Sequence, residues 1–81
     1  MPPRKGHKMI PIDSVTKLPN YPCATFQWSE AEEDVVKKFK KLFGRVPEHV
    51  YFHKTGYYIP VTTEEYQENK TRIVFYTAEE R

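Results

Sequence analysis

Cysteine occurs once in this 81-residue chain, as Cys23, so no internal disulfide can form and no second thiol can share a metal with it. That usage fits a reducing compartment and argues against an extracellular setting. Long apolar runs are missing too. Nothing approaches the roughly 18–20 residues of a membrane span, and the N-terminus lacks the apolar core of a secretory signal. The expected location is therefore the cytoplasm, without membrane contact. Also missing are a glycine-rich phosphate loop, a nucleophile elbow, a paired metal-ligand motif and a kinase signature. No cofactor and no small-molecule substrate are implied, and the expected role is binding rather than catalysis.

Charge of one sign is not in large excess. The formal net charge is +2 and the pI about 8.7, short of the value near 9 that by itself argues for nucleic acid. Its distribution says more. Residues 1–8 carry Arg4, Lys5 and Lys8 with no acid and are broken by Pro2, Pro3 and Gly6, the pattern of a disordered basic arm. Removing those three cations leaves 10 basic and 11 acidic residues, so the body of the protein is near neutral.

What is present is a small aromatic core. A chain this short makes one domain and buries only about 60–65% of its unfolded surface. At 38% hydrophobic and 15% aromatic, Tyr and Phe must supply much of that burial. Residues 9–23, with Pro11, Pro19 and Pro22, predict an extended coil laid over the domain. Residues 24–77 predict a single α+β domain, and 78–81 a polar tail.

Within that domain Ala24–Trp28 alternates as a half-buried strand. Ser29 and Glu32 have the spacing of a capping box, which starts a helix at residue 30 and ends it near Phe43 before Gly44. Ala31, Val35, Val36, Phe39, Leu42 and Phe43 fall on one stripe of it, opposite the lysines. Val50–His53 and Tyr57–Val61 predict a hairpin with Gly56 in a left-handed turn position, Pro60 marking an edge or an outward amide. Thr62 or Thr63 caps a short helix reaching about Asn69, and Thr71–Thr77 is the strongest strand pattern of all. The order β-α-β-β-α-β is that of a ferredoxin-like split unit, an antiparallel sheet with one long helix packed on one face.

Two histidines, His49 and His53, stand four apart. On a strand that spacing separates their Cα atoms by roughly 13 Å, too far to share an ion. Lys37 to Tyr58 is the densest candidate binding region. Lys37, Lys38, Lys40, Lys41, Arg45 and Lys54 oppose one acid, Glu48, and Tyr51, Phe52, Tyr57 and Tyr58 are interleaved. Ammonium groups neutralise phosphates and exposed rings stack on bases, so this surface suits single-stranded nucleic acid. Yet the lysines also sit where any solvated helix places them, with Glu33/Lys37 and Asp34/Lys38 as i,i+4 pairs.

Strand alternation sends Tyr51 and His53 to one face and Val50 and Phe52 to the other. The face away from the helix would then carry Tyr51 with Tyr58 or Tyr57, and Arg72 or Ile73 from the last strand, where RNA-recognition domains stack bases. The expected binding residues are Arg4, Lys5, Lys8, Lys37, Lys41, Arg45, Tyr51, His53, Lys54, Tyr57, Tyr58 and Arg72. The expected partner is nucleic acid or a nucleic-acid-processing complex. The alternative is an adaptor or inhibitor that docks on one larger protein through the aromatic face.

Overall fold

The computed structural model describes residues 8–27, 29 and 31–77. The arm before Lys8, Trp28, Glu30 and the tail 78–81 lie outside the described residues. Five strands form one sheet: β1 (Lys8–Pro11), β2 (Cys23–Phe26), β3 (His49–His53), β4 (Gly56–Pro60) and β5 (Phe75–Tyr76). Helix α1 (Glu32–Phe43) connects β2 to β3, and α2 (Thr63–Asn69) connects β4 to β5. The spatial order is β1-β3-β4-β2-β5. β1 runs parallel to β3 and every other pair is antiparallel, so this α+β fold has a mixed sheet instead of the antiparallel one expected.

The extra strand is the main correction. Residues 8–11 pair with His49–Phe52, so Lys8 belongs to the sheet and the Pro-rich segment is not coil throughout. Met9 supplies the reason, because its side chain packs against the main core. Pro11 is tolerated because β1 is an edge strand, where a missing amide donor breaks no ladder.

Neither helix is long. α1 has 12 residues, an ordinary length, and α2 has 7. The capping box expected at Ser29 and Glu32 does not form. The N-cap is Ala31, without a side-chain bond, and Glu32, Glu33 and Asp34 occupy the first turn, where the unpaired amides and the dipole favour carboxylates. Gly44 takes the left-handed C-cap with φ 77°. The capping box is instead on α2: the Thr62 hydroxyl accepts from the Glu65 amide at 3.1 Å, and the Glu65 carboxylate accepts from the Thr62 amide at 2.9 Å.

Two further elements are shifted. Gly56 has the positive φ that favours glycine, 150°, but it opens β4 opposite His53 and leaves Lys54 and Thr55 as the hairpin loop. The strand expected over 71–77 shrinks to Phe75–Tyr76, because the chain leaving α2 turns first, with the Arg72 amide bonded back to the Asn69 carbonyl at 2.9 Å. β-branched residues favour strands only where a partner is alongside, and Val74 stands 72% exposed.

The sheet is covered on both faces. Ala24, Phe26, Val50, Ile59 and Val61 meet Val35 and Phe39 of α1, with Tyr66 of α2 and Phe75 at the margin. Phe39 is fully buried and stacks on Phe43 with ring centroids 4.4 Å apart. The second face holds a smaller core. There Ile12, Val15 and Leu18 lie against Cys23, Tyr51, Tyr58 and Tyr76, around a 3-10 turn at Val15–Lys17 whose start is capped by Ser14.

Candidate functional site

That second core decides what the sheet can offer a partner. The aromatic face expected to be open is covered at its centre by residues 12–18, and Tyr58 is only 8% exposed beneath them. Apolar side chains at Ile12, Val15 and Leu18 gain by leaving water, so the Pro-rich segment packs down. Tyr57 points to the helix side and packs against the main core, so it is not on the aromatic face; Tyr76 is there instead. Ile73, another candidate for that face, also packs on the helix side, and Arg72 is an exposed turn residue.

The expected binding residues divide between two ends of the molecule. At the hairpin end the His53 ring Nδ1 lies 2.9 Å from the Thr55 hydroxyl, which lies 2.8 Å from the Tyr58 hydroxyl. The Thr55 amide also donates to Nδ1 at 3.3 Å. His53 and Tyr58 therefore brace the turn, and Lys54 is exposed at its tip. Along β3 this end is roughly 13 Å from the start of the strand.

At the other end the covering segment stops short and a cleft of about 370 Å³ opens. Pro19 and Tyr21 form one wall, and His49, Tyr51 and Pro60 of the sheet line it with Val61 and Thr62. Arg45 and Glu48 come from the loop that follows α1. Three topological facts bring these residues together. α1 returns the chain to the end where β3 begins, β4 ends there, and β1 starts there in parallel with β3. Lys8 therefore pairs with His49 and donates its amide to the Glu48 carbonyl at 2.9 Å. Arg4 and Lys5 lie outside the described residues, but the chain they belong to joins the fold at this corner.

Arg45 is the fixed element of the cleft. Its Nε donates to Glu65 Oε2 at 2.7 Å and its Nη2 to Oε1 at 2.9 Å, while the guanidinium sits 5.1 Å from the centroid of the Phe39 ring. This two-pronged pair raises the Arg45 pKa above its ordinary value and holds the Glu65 carboxyl below the usual carboxylate range, burial opposing both shifts. Nη1 is left out of the pair. The same carboxylate caps α2, so one acid ties the helix start to the cleft cation.

Beside this corner Lys8 is exposed as the pairing partner of His49, whereas Lys40 and Lys41, exposed in the last turn of α1, belong to the helix layer and do not line the cleft. Lys37 is exposed one turn earlier. Tyr21 and His49 were not among the expected binding residues. Tyr21 is 58% exposed between two prolines, and His49 shares its strand phase with Tyr51, 6.5 Å away between ring centroids. That shared phase was legible in the sequence, whereas the approach of Tyr21 to the sheet was not.

A second, wider furrow of about 770 Å³ runs along the β2–β5 side, lined by Thr25, Lys38, Leu42, Val74 and Tyr76 among others. Among the described residues no group of three His, Cys, Asp or Glu side chains is arranged to hold a metal, and no helix is long and apolar enough to cross a membrane. Comparison with protein-family models, with curated proteins and with solved structures finds no match to this chain.

Proposed function

We propose that this chain is a non-catalytic binding module that contacts nucleic acid, or a complex that processes it, at the corner where β1, β3 and β4 meet the Arg45 loop. The observation that carries the reading is the cleft where the half-exposed Arg45 meets the rings of Tyr21, His49 and Tyr51, with Lys8 exposed on the sheet edge as the pairing partner of His49. Phosphates take the cations and bases take the rings, a division seen in proteins that hold single strands. Arg4 and Lys5, four and three residues before Lys8 in the sequence, are part of the proposed binding set for their charge.

The fold fits this reading. The order β5-β2-β4-β3, with α1 and α2 as connections and β1 added at the edge, supports reading the fold as a split β-α-β-β-α-β unit. A docking role on a larger protein is favoured by a different feature, the two-residue edge strand β5 and the exposed Val74 side chain just before it.

Fluorescence-anisotropy titration of labelled oligonucleotides at two salt concentrations tests the reading. The full chain is expected to bind, to weaken steeply as salt rises, and to lose affinity and salt slope when residues 1–7 are removed. Undetectable binding at low salt would overturn it and leave the protein-docking role.

A further inference from the structure

The geometry points to the cleft as a pocket for one unpaired nucleobase, so that the protein takes single strands in preference to duplexes. This deepens the proposed function and rests on it. Four observations carry it.

The cleft is an open recess of about 370 Å³, a volume that accommodates a small planar ligand with one side left to solvent. Its lining is ring-rich: the Tyr21, Tyr51 and His49 side chains stand with the flat surfaces of Pro19 and Pro60. Its charges are internally opposed. Arg45 is held by Glu65, and Glu48 lines the same wall, so the interior is a poor place for a phosphate but offers a donor at Arg45 Nη1 and acceptors at Glu48 for the polar edge of a base. An exposed cation, Lys8, lies outside the cleft lining on the sheet edge beside His49, where it can meet a phosphate. A paired base cannot enter such a pocket without leaving its stack, at a cost in free energy that a single strand does not bear.

Tyr21 is the residue to change, because it is exposed and its removal leaves both cores intact. The experiment compares the full chain with Tyr21→Ala and Tyr21→Trp in anisotropy titrations against a labelled single-stranded RNA, the same sequence as DNA, and a duplex of equal length. Circular dichroism confirms that each variant is folded. The single strands are expected to bind at least tenfold more tightly than the duplex at matched salt. Tyr21→Ala should lower single-strand affinity about tenfold, the typical effect of losing one stacking ring, while leaving the salt slope and duplex affinity unchanged. Tyr21→Trp should restore the affinity.

Equal affinity for single strands and duplex, or indifference of single-strand binding to Tyr21→Ala, overturns the base pocket while leaving the proposed function standing. Failure of every oligonucleotide to bind overturns both. A proline-rich peptide that binds in a Tyr21-dependent manner where oligonucleotides do not would reassign the cleft to protein recognition.

Discussion

At Phe39 the physical case is simplest. The ring is fully buried, stacked on Phe43 and covered by the Arg45 guanidinium, so truncation removes transferred area and leaves a cavity. Phe39→Ala is expected to cost about 3–5 kcal/mol in urea denaturation, a large share of what a small domain holds. Lys37→Ala, on the exposed side of the same helix, should change stability by no more than about 0.5 kcal/mol. Glu65 adds a dependence on pH. Its carboxyl is depressed chiefly by the bond from Arg45, so the contribution is present above the ordinary value of 4.5 and is lost as pH falls through the lower folded value. The stability gap between wild type and Glu65→Gln should therefore be full at neutral pH and close below pH 4.5, as followed by denaturation across pH 2–7.

Capping chemistry separates the two helices. α1 starts without a side-chain cap and draws on its acidic first turn and its buried stripe, whereas α2, at seven residues, is too short to persist on its own propensity. Thr62→Ala should therefore cost about 1 kcal/mol, within the usual range for a lost N-cap, and should loosen the Arg45–Glu65 pair with it. Hydrogen exchange at the amides of α2 would register the change; unaltered protection there would mean that Tyr66 packing alone holds the helix. The capping box drawn from Ser29 shows why such motifs mislead. The Ser-x-x-Glu spacing recurs by chance in an acidic stretch, and where a helix begins is decided by which turn first buries an apolar residue, here Val35.

Across the whole molecule the sheet is a layer between two unequal cores. The smaller depends on Leu18, which is 5% exposed in a segment with no regular structure beyond one 3-10 turn. Leu18→Ala is accordingly expected to destabilise the fold by about 2–5 kcal/mol, as a core substitution does, although its neighbours are a coil. A change within about 0.5 kcal/mol by thermal denaturation would mean that the covering segment is not a stable part of the fold. If Leu18 holds that segment in place, it also sets the wall that Tyr21 presents to the cleft.

Local chemistry alone determined the two helices, the β3–β4 hairpin and the apolar stripe of α1, because each rests on residues within a few positions of one another. The same residues gave the α+β class and the opposite phases of Tyr57 and Tyr58, since side chains alternate strictly along a strand. The tertiary structure decided the rest. Lys8–Pro11 becomes a strand only because β3 has a free edge and Met9 a core to enter, and a four-residue segment carries no such information by itself. The covering of Tyr58 and the gathering of Tyr21, Arg45 and His49 around one cleft join residues far apart in the sequence. Such contacts are set by which apolar surfaces find one another in the packed chain, and short-range patterns leave that choice open.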